Sequence, residues 1–299
     1  MQRRYWIGIV AIALFAAAAG SFWWFWQRPI KVISDAFASL ADADTQQFSA
    51  AVLLENATAT TQLLGEQGQV ELNIDGSFAR QDDKRDSLTM TVALTSKTES
   101  VSVQIEGEMR FIDEHAYILI KKAPQAVPLL AQLKGTWIRL PRGGQQTAPK
   151  VETNDQLFAN IARQRRERIA DATTNKYQAT ATTTAVLRLL DGIADLLGTR
   201  LTEEQIVGIR QSLAEVKEVP VELWITPLTH ELKQLHTTFT VSGGNTVSFT
   251  LALNDRNEPI DMAVPEGAVT LEEMLRAAIP QPTPQPTPQS TPQPTSQPQ

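Results

Sequence analysis

The chain has 299 residues, a formal net charge of -6 and no cysteine. Without cysteine there is no disulfide, thiolate metal site, cysteine nucleophile or thiol to carry a lipid. Acidic and basic residues are scattered, so no basic face suits a phosphate backbone, and nucleic acid is excluded as a partner.

In chain order the first feature is Tyr5 to Trp26, an uncharged run directly behind Arg3 and Arg4. As a helix rising about 1.5 Å per residue it would reach about 33 Å, enough for a bilayer core of about 30 Å. Trp23, Trp24 and Trp26 gather at its far end beside Arg28, where amphipathic rings prefer the headgroup layer, while the arginines mark a cytoplasmic end. The pattern predicts a cytoplasmic stub and transmembrane anchor over 1–28, hence a single-pass protein of the cell membrane with its main domain extracytoplasmic. A cleaved secretory signal is the competing reading, because Ala16 to Gly20 offers a small-residue cleavage region. Cleavage there would leave Phe22-Trp23-Trp24-Phe25-Trp26 as an exposed new terminus. Arg3-Arg4 lacks the context of a twin-arginine signal.

Residues 29–279 carry the folded domain. Ile30 to Leu40 reads as a helix leaving the membrane behind Pro29. Beyond it the dominant signal is period two. Val70, Leu72, Ile74 and Phe78 alternate with Glu71, Asn73, Asp75 and Ser77, and Leu88, Met90, Val92 and Leu94 alternate with threonines. Val101, Val103, Ile105, Met109 and Phe111 continue the theme. One apolar and one wet face per strand is the mark of an antiparallel sheet covered on one side. Short polar connections at 81–85 and 97–100 predict a meander. Phe48 to Leu54, Ala116 to Lys121, Trp137 to Leu140, Lys176 to Thr183, Val219 to Thr226, Leu232 to Val241, Val247 to Leu253 and Ile260 to Val264 complete ten or eleven strands, enough to curl strongly. Ser242-Gly243-Gly244-Asn245 supplies a hairpin turn.

Helices are predicted at three further places. Residues 155–170 place Leu157, Phe158, Ile161 and Ile169 on one side and Arg163, Arg165, Arg166 and Arg168 largely on the other. Residues 185–218 form a helical hairpin, with stripes of Val186, Leu189, Leu190, Ile193, Leu196 and Leu197, then Ile206, Ile209, Leu213 and Val216, the second entered through a Thr202/Gln205 capping box. A terminal helix starts at Thr270 with Glu273 as its box partner. From 280 to 299 the composition collapses to Pro, Gln, Thr and Ser, which predicts a disordered, polyproline-like tail.

Little in this chain has the shape of a catalytic motif. His115, His230 and His236 lack metal-ligand spacing, and no metal site or cofactor is expected. There is no Gly-x-Ser-x-Gly elbow. Asp82, Asp83 and Asp86 read as a polar turn, since the glycine and bidentate glutamate of a calcium loop are missing. Arg142-Gly143-Gly144 follows no phosphate-loop pattern. The arginines of 163–168 suit either a solvated helix face or anionic headgroups and wall polymers. Asn56-Ala57-Thr58 fits a glycosylation acceptor.

The order of helix, long antiparallel meander, helical hairpin and closing strands resembles the LolA/LolB and LppX/LprG-like lipoprotein-carrier superfamily. Local matches are Ala116-Tyr117-Ile118-Leu119-Ile120, Gly135-Thr136-Trp137-Ile138-Arg139-Leu140, Leu201-Thr202-Glu203-Glu204-Gln205-Ile206, Val221-Glu222-Leu223-Trp224-Ile225 and Asn257 to Pro265, across most of Ser34 to Ala278. The resemblance implies an α+β fold: a strongly curved antiparallel half-barrel covered on its concave, apolar side by helices that enclose acyl chains. It places an apolar cavity beneath the hairpin, with Phe78, Met90, Val92, Phe111, Leu189, Ile193 and Leu213 as candidate ligand contacts. The chain departs from the pattern by lacking the lipid-bearing cysteine and by its anchor-like N-terminus.

The expected function is a non-catalytic, membrane-anchored, extracytoplasmic binding protein for a lipid, an acylated molecule or another apolar ligand. The alternative is a cell-envelope scaffold whose β domain contacts envelope proteins or wall polymers.

Overall fold

The computed structural model describes residues 28–57, 68–80, 86–124, 130–131, 133–141, 157–182, 185–186, 203, 206–207, 216, 219–240 and 244–278. Pro29 opens helix α1 (Pro29–Ala41), where its fixed φ suits the first turn and its missing N–H costs nothing. Val32, Ile33 and Ala36 are buried on one side of this helix. The expected helix is present, and it packs against the sheet.

The sheet has twelve strands: β1 (Thr45–Ala57), β2 (Gly68–Ala79), β3 (Ser87–Lys97), β4 (Ser102–Ile112), β5 (His115–Lys122), β6 (Trp137–Pro141), β7 (Phe158–Ile169), β8 (Ala172–Ala181), β9 (Val219–Ile225), β10 (Leu232–Thr240), β11 (Thr246–Asn254) and β12 (Val269–Thr270). Helix α2 (Leu271–Ala278) follows directly. Their spatial order is β12-β6-β5-β4-β3-β2-β1-β11-β10-β9-β8-β7. Two antiparallel meanders, β1 to β6 and β7 to β11, are thus joined edge to edge by the β1/β11 pair. Among the described strands, β12 alone runs parallel to its neighbour, β6.

Sequence explains most of this. The period-two runs lie in β1 to β4, β10 and β11, and the Thr270/Glu273 box closes as expected: Thr270 N–H donates to Glu273 Oε2 at 2.8 Å, and Glu273 N–H to Thr270 Oγ1 at 3.2 Å. Gly244, at φ +80°, takes the left-handed conformation expected near the β10–β11 turn.

The expected α+β half-barrel with a helical cover is overturned. The described fold is mostly β, a twelve-stranded sheet with two short helices, and α1 packs chiefly on β7, β9 and β10. Within residues 155–170, expected to be helical, Phe158–Ile169 forms β7 in register with β8. Two irregularities, at Ala159/Ala162 and Arg163/Arg166, break its alternation and mimic a helical spacing. Of the hairpin expected at 185–218, only residues 185–186, 203, 206–207 and 216 are described; the rest lies outside the described residues. Residues 260–264, expected as a strand, are irregular, and the closing strand is β12.

The single-pass membrane localisation is likewise corrected. No helix among the described residues is long and apolar enough to cross a membrane, and Tyr5 to Trp26 lies outside them. The tail at 280–299, the acidic turn at Asp82-Asp83 and Arg142-Gly143-Gly144 also lie outside.

Candidate functional site

Side-chain alternation gives the sheet one apolar face, and register turns it into rows. One row runs Leu253–Phe48–Gly76–Met90–Met109–Ile118–Ile138, crossing β11, β1, β2, β3, β4, β5 and β6. The next runs Leu251–Ala50–Ile74–Val92–Gly107–Ile120, and a third Phe249–Val52–Leu72–Leu94–Ile105. In a sheet such directly opposed neighbours pack against one another, so the rows form a continuous apolar surface.

Its covering is uneven. At the β7–β10 end, Val32, Ile33 and Ala36 of α1 join Tyr177, Leu223, Ile225 and Leu232 in a closed core, tightened by Phe37 stacked on Phe158 at 5.5 Å. A second cluster holds Leu88, Met90, Phe111 and Ala116. Phe48 packs against both, bridging them. Between and beyond these clusters Ile74, Val92, Leu72, Leu94, Val52 and Phe249 are only half-buried.

Four of the seven candidate ligand contacts are thereby located. Phe78 and Val92 pack, partly exposed, against the cluster that contains Met90 and Phe111, which are 6% and 3% exposed. Leu189, Ile193 and Leu213 lie outside the described residues. Val186 and Val216, also on the predicted hairpin stripes, pack against the α1-side core.

The opposite face is polar. An open pocket of about 370 Å³ lies over β1 to β3, lined by Gln47, Ser49, Asp75, Ser77, Thr89, Thr91 and Asn254 together with Phe48, Gly76 and Met90. Ser49 donates to Asp75 Oδ1 at 2.6 Å. No histidine lines it. His236 is held by Thr250 at 2.9 Å and Thr238 at 3.2 Å, and His230 is buried against Asp35 at 2.8 Å. Among the described residues no three His, Asp or Glu side chains gather as a metal site.

Electrostatics concentrate at four places. Partial burial pushes the Asp35 carboxyl up, but hydrogen bonds from Lys31 and His230 and their charges outweigh it and hold the group below its ordinary value. Burial likewise opposes Arg110 and Lys121 at Glu108, whose carboxyl ends low; Arg110 also lies 5.0 Å over the Trp137 ring. On the wet side of β9, the Trp224 indole donates to Glu167 Oε2 at 2.7 Å and Lys176 sits 4.8 Å over the ring. The indole hydrogen bond, then Arg165, hold Glu167 low.

The fourth place was not anticipated. Asn175 and Tyr177 are two apart on β8, share the apolar face, and are both 0% exposed. Arg163 Nη2, from the edge strand, donates to Asn175 Oδ1 at 2.8 Å. Burial pushes the Tyr177 phenol above its ordinary value, against the opposing influence of Asn175 and Arg163. Asn175 approaches the phenol closely enough to lower its titration, while the contact falls short of full hydrogen-bond geometry. The sequence carried one sign of this: in Asn175, Tyr177, Ala179 and Ala181, the buried phase of the strand begins with an amide.

No protein-family model matches this chain, and no curated protein matches it either. Among solved structures it is similar to lipoprotein LppX of Mycobacterium tuberculosis, at 14% identity and a TM-score of 0.41, covering 78% of this chain and 97% of that one. It is also similar to LprF of Mycobacterium bovis, at 12% identity and a TM-score of 0.45, covering 79% of this chain and 96% of that one. LppX was among the proteins named by the sequence resemblance.

Proposed function

We propose that the protein binds a lipid or another apolar molecule against the apolar face of its sheet and catalyses no reaction. One observation carries this reading: apolar rows run unbroken across up to seven strands, yet the described residues cover them fully only at two clusters. Burying apolar surface contributes roughly 25 cal/mol per Å², or about 0.8 kcal/mol per CH₂ group. An acyl chain laid along Ile74, Val92 and Leu94 would be held by area alone, which suits a chain without a motif. The half-buried rows leave part of this apolar surface for a guest to cover.

Extraction of the purified full chain with organic solvent, followed by mass spectrometry, tests it. A stoichiometric apolar molecule is the expected result. An empty protein that also fails to take up N-phenyl-1-naphthylamine, a neutral apolar dye, would reject the reading.

A further inference from the structure

Two hairpin tips meet at one end of the sheet. The register row Arg166–Asn175–Ile225–Leu232 crosses β7, β8, β9 and β10, and beyond it the chain turns back at 170–171 and at 226–231. Both turns therefore project the same way, about 10 Å apart at the usual strand spacing.

The first tip is basic. Arg163, Arg165, Arg166 and Arg168 crowd onto β7 against Glu167 and Asp171, a local positive excess in a chain of net charge -6, and all four arginines are exposed. Arg165 and Arg168 pair with those carboxylates, but at 83% and 73% exposure such pairs hold little and leave the guanidiniums open to another anion. The second tip presents Leu228, 68% exposed. Thr226 N–H donates to the Glu231 carbonyl at 3.0 Å and Glu231 N–H to Thr226 Oγ1 at 2.9 Å, closing the neck of the turn, while His230 Nδ1 ties it to Asp35 of α1 at 2.8 Å. Leu228 is thus held outward on a braced loop. Lys31 Nζ reaches the same Asp35 oxygen at 2.8 Å, which sets the first turn of α1, with Lys31 and the exposed Ile30, beside this loop.

A single exposed leucine is ordinary, and a run of arginines is often just solvated. Their meeting at one end is more specific. Apolar side chains held out beside guanidiniums match the layering of a bilayer surface, with phosphates above and hydrocarbon just below. An acidic protein face would complement the arginines alone and give Leu228 and Ile30 nothing to enter.

We propose that this end of the sheet, through Arg165, Arg166, Arg168, Leu228 and Ile30, docks on the surface of a bilayer containing anionic phospholipid. The contact lies on the membrane and crosses nothing. It goes beyond the apolar-face reading and does not depend on it.

The chain has no cysteine, so in Leu228→Cys a nitrobenzoxadiazole label marks this tip alone. The labelled full chain is titrated with vesicles of phosphatidylcholine, with or without phosphatidylglycerol. Anionic vesicles should shift the emission to the blue and brighten it, less so as ionic strength rises, and neutral vesicles should leave it as in buffer. Arg166→Gln and Arg168→Gln are each expected to raise the lipid concentration required by about fivefold, and Asp171→Asn to lower it. All three side chains are exposed, so melting temperatures should hold. The same label in Glu99→Cys, on the β3–β4 turn at the opposite strand ends, should stay silent.

An unmoved label at 228, an equal response to neutral vesicles, an equal response at 99, or unweakened binding by the double arginine variant would each overturn the docking and leave the apolar-face reading standing. A response to poly-L-glutamate without one to the anionic vesicles would overturn it as well, and assign the arginines to an acidic protein.

Discussion

The Phe48 ring lies directly over Gly76 on the neighbouring strand. A Cβ built at Gly76 would meet Phe48 Cζ at 2.6 Å and the backbone oxygen of Thr89 at 2.6 Å. The ring end can swing aside, but the carbonyl is fixed by β2/β3 pairing. Gly76→Ala should therefore destabilise by about 1–3 kcal/mol, as overpacking does. Chemical denaturation of the variant gives the value directly, and an unchanged midpoint would mean that Phe48 does not hold this position.

Depth on the apolar face separates structure from binding. Met90 and Phe111 are buried, so Met90→Ala should cost about 2–5 kcal/mol and Phe111→Ala about 3–5 kcal/mol of stability. Val92, half-buried in the middle row, should behave differently. Val92→Asp is expected to weaken N-phenyl-1-naphthylamine binding at least tenfold while lowering the melting temperature less than Met90→Ala. Equal dye binding by Val92→Asp and wild type would remove the apolar-face reading.

Acid stability should depend on Asp35. Its carboxyl is held below the ordinary value in the folded state, so the folded protein binds fewer protons there than the unfolded chain. The stabilisation is present above the ordinary carboxylate range and is lost as pH falls through the lowered folded value. Asp35→Asn should flatten that acid limb in thermal melts, and an identical pH profile for the variant would contradict it.

Tyr177 predicts the opposite limb. Its phenol is raised by burial, so the unfolded chain ionises first as pH climbs. Stability is complete below the ordinary phenol value and declines as pH rises toward the folded one. Tyr177→Phe should remove this alkaline component, read by denaturation between neutral and strongly basic pH.

Glu167 reports through an indole. With six tryptophans in the chain, indole N–H resonances are few enough to assign singly. That of Trp224 should move as pH falls through the lowered titration of Glu167, because its acceptor becomes protonated. In Glu167→Gln the same resonance should hold still over that range.

The legibility of this fold followed the number of covered faces per strand. β2, β3 and β4 each have one dry and one wet side, so alternation at Val70 to Phe78 or Leu88 to Leu94 showed both strand and facing. β7 is an edge strand, exposed along most of its length and broken by two irregularities, so Phe158, Ile161 and Ile169 fell at helix-like intervals. β12 has two residues, too few for any period. Of the candidate site, the meeting of Phe78, Met90, Val92 and Phe111 was visible because same-phase residues on adjacent strands must share a face. The Asn175/Tyr177 pair depends on a contact from Arg163, twelve positions upstream of Asn175, which pattern alone does not supply.

The place of β1 at the junction of the two meanders sets an order of assembly. Each meander is built from neighbours in sequence and can zip locally, whereas the β1/β11 seam joins distant segments: the Gln46 side chain donates to the Asn254 carbonyl, 208 positions away. Closing so long a loop before any contact rewards it makes docking of the halves the slow event. Until it happens, β1 and β11 each present a bare, apolar-faced border, so the nascent chain is most prone to wrong partners during that interval.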